Sequence, residues 1–128
     1  NGIDVRMTFI FSEGVKKRGM SLRRFVDVTS ANAARLLGLY PRKGALAPGS
    51  DADIVLIDPN MRKRLTLKDL HADSDYSIWE GWEFEGYPVM TILRGKAIVE
   101  DGKLKGAARD GQFIQRKVAP EVLKRPVV

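Results

Sequence analysis

The run Tyr40-Pro41-Arg42-Lys43-Gly44-Ala45-Leu46-Ala47-Pro48-Gly49-Ser50-Asp51-Ala52-Asp53-Ile54-Val55-Leu56-Ile57-Asp58 decides the fold, because the chain changes character within it. Two prolines and two glycines break any helix. The apolar, mostly β-branched Ile54-Val55-Leu56-Ile57, bounded by Asp53 and by Asp58-Pro59, then reads as a buried strand. Upstream, Ile3, Met7, Ile10, Phe11 and Val15 recur at three- and four-residue steps, the period of one helix face. Gly14 and Gly19 bracket a basic turn, after which Ser21 caps a second helix with Leu22, Phe25 and Val26 inward. Thr29 or Ser30 is expected to cap a third helix carrying Ala33, Ala34, Leu36 and Leu37, with Gly38 as its C′ glycine.

Downstream, Arg64 to Leu67 alternates polar and apolar residues, which predicts a short strand. The acidic stretch from Lys68 to Gly86 reads as loop and holds both tryptophans. Val89 to Leu93 and Ala97 to Val99 predict a hairpin across Arg94-Gly95-Lys96, and Glu100-Asp101-Gly102-Lys103 predicts another tight turn before Leu104. From Gly111 the chain has little core potential and reads as an extended arm. Helices first and strands second give an α+β arrangement, or a helical piece of one domain joined to a β piece of another.

The 128 residues, 44% apolar and 30% charged, have the balance of a folding chain. No apolar run approaches the roughly 20 residues of a membrane-spanning helix, and no basic leader opens the chain at Asn1, so a cytoplasmic protein with no membrane partner is expected. The absence of cysteine excludes disulfides and thiolate ligands. The net charge of +6 is uneven: Asp69 to Glu85 carries six acidic residues and no Lys or Arg, whereas Lys103 to Arg125 carries seven basic residues. Without a helix-turn-helix, zinc-finger or aromatic RNA platform, this excess predicts no nucleic-acid partner.

The search for chemistry yields no self-sufficient active site. His71 is the only histidine, so a multi-histidine zinc site cannot be built. His71, Asp73 and Asp75 fall in one loop, where a loop-packing histidine is the plainer reading. Asp51 and Asp53 sit where a loop enters a strand and Asp58 where it leaves, which suits turn acceptors rather than acid–base partners. Gly44 and Gly49 lack the spacing of a phosphate loop. Trp79, Trp82, Phe84 and Tyr87 are expected to plug the base of a sandwich. No catalytic, substrate-binding or metal-ligating residue is therefore assigned within the chain.

The stretch Thr29-Ser30-Ala31-Asn32-Ala33-Ala34-Arg35-Leu36-Leu37-Gly38-Leu39-Tyr40, followed by Lys43-Gly44 and Pro48-Gly49-Ser50-Asp51-Ala52-Asp53-Ile54-Val55, resembles the C-terminal signature of metal-dependent amidohydrolases. Asp75-Tyr76-Ser77-Ile78-Trp79-Glu80-Gly81-Trp82, with Gly86, Pro88-Val89 and Arg94-Gly95, looks like the dihydropyrimidinase/hydantoinase branch, as does Gly2-Ile3-Asp4-Val5-Arg6-Met7 with Phe11-Ser12-Glu13-Gly14-Val15. The resemblance runs to about Arg116. It implies a (β/α)8 barrel of TIM type whose last helices occupy residues 1–40, β-sandwich strands and a connecting loop over 41–106, and an extended C-terminal arm over 107–128. It further implies hydrolysis of cyclic amides, dihydropyrimidines or 5-substituted hydantoins, by hydroxide activated on a divalent metal pair, zinc being the expected metal. The family's ligands, four histidines, a carboxylated lysine and an aspartate, lie upstream of this segment, so none maps onto it. The partners implied are the N-terminal barrel portion of the same protein, further copies in a homotetramer, and the small cyclic amide. The same branch includes metal-free scaffold homologues, and a free-standing β-rich interaction domain is the third reading.

Overall fold

The computed structural model describes residues 3–71 and 74–124. Asn1, Gly2, Asp73 and Arg125, all named above, lie outside the described residues. A first helical rod opens as α1 (Arg6–Phe9) and continues as a π-helix over Ile10–Lys17. A second rod runs unbroken from α2 (Leu22–Val26) through a π-helical turn, Asp27–Ala31, into α3 (Asn32–Leu36). A single antiparallel sheet follows in the order β1 (Ile54–Arg64), β2 (Glu83–Leu93), β3 (Lys96–Glu100) and β4 (Lys103–Leu104).

Local chemistry explains most of these limits. The Ser21 hydroxyl accepts the Arg24 amide at 3.2 Å and caps α2 as its sequence position predicts. Thr29, in contrast, caps nothing. Its hydroxyl turns back to donate to the Phe25 carbonyl at 2.7 Å, so the backbone passes from α2 into α3 without an intervening cap. At the far end Gly38 takes φ +70°, the Leu39 amide reaches the Ala34 carbonyl at 2.8 Å and the Gly38 amide reaches Arg35 at 3.1 Å. This 6→1 and 5→2 pair is the Schellman termination expected of a C′ glycine.

The sheet corrects the expected strands in three places. Asp58-Pro59 does not end the strand: β1 bulges there, between Asp58↔Tyr87 and Arg62↔Glu85, and resumes to Arg64, the residue at which the second short strand was expected to begin. Proline fits because the bulge needs no ladder amide, and the Asp58 carboxylate accepts the Asn60 amide at 2.9 Å. Glu83 to Gly86, expected as loop, belongs to β2, because pairing with the far half of β1 draws it into the ladder. Leu67, expected at the end of a strand, lies instead in a 3-10 turn, Leu67–Asp69, closed by a Thr66–Asp69 capping box. Both tight turns are as expected, with Arg94-Gly95 and Asp101-Gly102 all at positive φ, the backbone of a type I′ hairpin. The tail departs from a uniformly extended arm, since a helical turn, α4 (Pro120–Leu123), starts at a proline suited to a first helical position.

Helix and sheet meet where α1 crosses the bulged ends of β1 and β2. Val5, Leu65 and Phe84 are buried together, Phe9, Leu70 and Trp79 pack around them, and Leu65 bonds Trp82 and Gly81 through its backbone. The π-helical stretch then places Phe11 directly over Gly86, whose φ is +88° and where any Cβ would overlap the Phe11 ring. Ser12, fully buried, accepts the Glu85 amide at 3.0 Å. The neighbouring Glu13 is buried too. Its carboxylate takes Lys17 at 2.5 Å and Arg18 at 3.0 Å, and the Lys17 bond holds it below its usual range against the opposing effect of burial.

Replacing Gly86 with alanine should therefore destabilise the protein by about 2 kcal/mol or more, through positive-φ strain and displacement of Phe11 together. Denaturant unfolding of the full-length protein would measure this, and an unchanged midpoint would refute the close contact.

Candidate functional site

The two carboxylates flagged at the entry to β1 are brought to one point, and the third is not. Asp51 and Asp53 converge on Lys43 Nζ, which stands 2.9 Å from Asp51 and also bonds Asp53. Arg42 Nε donates to the same Asp51 oxygen at 3.1 Å. Backbone bonds fix the loop: Asp51 N to Arg42 O at 2.9 Å and Asp53 N to Asp51 O at 2.8 Å, with Ser50 Oγ donating to Pro41 O at 2.8 Å. The other Asp53 oxygen accepts the Arg94 amide at 2.9 Å, which ties this loop to the β2–β3 turn. Asp58 lies apart in the bulge described above.

The electrostatics of this knot favour charge on both sides. The Lys43 bond holds the Asp51 carboxyl below the usual carboxylate range, with Arg42 adding to it. Burial works to lower the Lys43 pKa, yet the bonds to Asp53 and Asp51 outweigh it and raise the ammonium above its ordinary value. A lysine and a carboxylate locked in their ionised forms are fitted to hold a loop, not to exchange protons with a substrate. Sequence reasoning placed Asp51 and Asp53 correctly at a turn but missed Lys43 as their centre. The available signal was a lysine preceding a turn glycine, with acids eight and ten residues on.

The remaining flagged residues separate. His71 is exposed, and what it contributes is its backbone amide, which donates to Asp4 Oδ2 at 2.9 Å. Asp75 is exposed, and among the described residues no group of three or more His, Asp or Glu side chains could hold a metal ion. The donor set present does not fit a binuclear centre. The aromatics assemble around α1: Phe9 lies 4.6 Å from Trp79 and 5.8 Å from Trp82, the tryptophans are 5.2 Å apart edge to face, and Trp82 stacks on buried Phe84 at 6.3 Å. Tyr87 stands outside this group and carries the Lys63 ammonium 4.8 Å over its ring.

These features describe a frame, and comparison with known proteins says which frame. The amidohydrolase family pattern matches residues 3–98. This chain belongs to the amidohydrolase family. Among curated proteins it is 48% identical to a D-phenylhydantoinase of Escherichia coli O1:K1 / APEC over 123 residues, which is 95% of this chain and 27% of that protein. Among solved structures, D-hydantoinase from Bacillus sp. AR9 matches with a TM-score of 0.84 at 42% identity, over 88% of this chain and 25% of that one. Dihydropyrimidinase from Brevibacillus agri NCHU1002 matches with a TM-score of 0.84 at 40% identity, over 94% of this chain and 25% of that one. The chain thus spans about a quarter of the length of the amidohydrolases it resembles.

If Lys43 holds the loop, Lys43→Met should cost about 1–3 kcal/mol by leaving two carboxylates without their shared partner. The pH dependence follows from the shifts. The Asp51 contribution is full above its ordinary pKa and is lost as pH falls through the lowered folded value; that of Lys43 is full below its ordinary pKa and is lost as pH rises through the raised one. Stability measured against pH should therefore lose less at both extremes in the Lys43→Met protein than in the parent.

Proposed function

We propose that this chain is the C-terminal part of a cyclic amidohydrolase that opens the ring of dihydropyrimidines or 5-substituted hydantoins. The observation that carries the reading is the 48% identity to a D-phenylhydantoinase along 95% of the chain, supported by the fold match to hydantoinases and a dihydropyrimidinase at 40% identity or more. In this reading residues 1–40 are the last helices of a TIM-type barrel, 41–106 are β-sandwich strands, and 107–128 are a C-terminal arm that takes part in a homotetramer. The whole enzyme works in the cytoplasm. Its divalent metal pair, zinc by expectation, is held by upstream residues, since those described here do not fit that role. What the present residues do is hold geometry. The Lys43 knot keeps the loop between helices and sheet in register, and the contact of the π-helical stretch with β2 keeps the helical layer at a set distance from the strands.

The exposed apolar surface supports a larger body. Leu22 is 61% exposed, Leu36 59% and Leu46 76%, and an apolar cleft of about 300 Å³ opens between α2 and β1, lined by Phe25, Val26, Val55 and Ile57. Faces of this kind call for burial. The upstream portion of the same protein is the partner that would cover them.

The full-length protein should hydrolyse dihydrouracil or a 5-substituted hydantoin to the ring-opened carbamoyl product, losing activity on chelation and regaining it with divalent metal. The 128-residue chain alone should show neither activity nor a stable, monodisperse monomer by light scattering. A full-length protein that binds metal and leaves every cyclic amide intact would overturn the enzymatic reading.

A further inference from the structure

The C-terminal segment is anchored at two points, Asp110 and Lys117. At its start, Asp110 is tied to the β2–β3 turn: Lys96 Nζ meets its carboxylate at 2.8 and 3.0 Å, the Ala107 amide donates to it at 2.6 Å, and the Arg94 guanidinium donates to its carbonyl. At its end, the Lys117 amide donates to the Gly38 carbonyl at 3.3 Å. Gly38 is the positive-φ residue that terminates α3, and a Cβ on it would overlap the Lys117 carbonyl and the Val118 amide. Between the anchors, Phe113 is 94% exposed and adds no burial. The segment therefore runs from the sheet to the end of the helical layer, fixed at both ends by polar and backbone contacts, with Ile114 half-buried between them.

We propose that residues 111–117 form a strap that closes from Asp110 on the sheet to a glycine notch at Gly38, fastening α3 to the sheet. Three observations converge on it. Gly38 is needed twice, once for the left-handed backbone of the helix end and once for the open space the strap occupies. The Asp110 anchor is built from Arg94, within the type I′ turn, and Lys96, just after it, so the strap starts from a rigid hairpin. A segment anchored by hydrogen bonds and ion pairs at its ends, with only Ile114 half-buried between them, opens at lower free energy than the core it spans, which makes it a latch and not a permanent wall. Closure also sets the reach of the tail: residues up to Val118 are committed to their own chain, and those beyond it are the ones placed to meet another surface.

The test uses the full-length protein. Gly38→Asn keeps the helix end, because asparagine tolerates the left-handed conformation, but fills the notch. Trypsin cleavage after Arg116 and Lys117 should then quicken by about tenfold or more, reporting an open strap; a rate equal to the parent's overturns the proposal. Deletion of residues 112–128 removes the strap while leaving Gly38 intact, and decides the matter if Gly38→Asn fails to fold. Amide hydrogen exchange should then accelerate in α3 and not in β2. Unchanged exchange in α3, or equal acceleration in β2, overturns the strap.

Discussion

The structure depends on how closely the first helical rod lies on β2. Phe11 rests where Gly86 has no side chain, and Ser12, one residue on, accepts the Glu85 amide. A helix at this distance excludes any Cβ from the strand beneath it. The π-helical winding over Ile10–Lys17 sits at this contact and aims Phe11 and Ser12 at adjacent strand positions. Phe11 also meets Phe25 edge to face at 5.4 Å, so the second rod is positioned through the first. The layers are thus joined by one seam.

Charge reinforces the seam instead of providing a reactive centre. Glu13 is enclosed by Lys17 and Arg18, Glu85 receives Lys16 at 2.9 Å, and Lys63 bridges to Asp69 at 2.7 Å. In each pair the carboxyl sits below its ordinary pKa because a cation bonds it; for Asp69, burial opposes that effect most strongly and is outweighed by Lys63 and the Thr66 bonds. The exposed pairs contribute little energy individually. Their value is directional, since each fixes which side of a helix or strand faces its neighbour. The Lys43 knot does the same for the loop entering β1, and the Asp110 anchor for the loop leaving β4.

Some of this was legible in the residues. The Ser21 cap, the Gly38 termination and the two glycine turns depend on backbone requirements that one or two residues satisfy locally, and all were read correctly. The hydantoinase resemblance rests on contiguous motifs, so it too was readable. The third-helix cap was misread because Thr29 has a choice: its hydroxyl can cap a new helix or bond the carbonyl of the turn before, and where the helix continues unbroken into α3 it takes the second. The bulge at Asp58-Pro59 was misread as an end because proline forbids a ladder bond locally, while strand pairing on either side outweighs that single loss.

The sequence by itself therefore determined that helices precede strands, where the tight turns fall, and the family, each of which follows from local backbone chemistry or contiguous pattern. Only the tertiary structure decided that Lys43 gathers Asp51 and Asp53, that Gly86 and Gly38 are spaces as well as turns, and that Glu83 to Gly86 is strand. Those facts depend on what stands opposite each residue across the fold, and neighbours distant in the chain leave no local mark in its sequence.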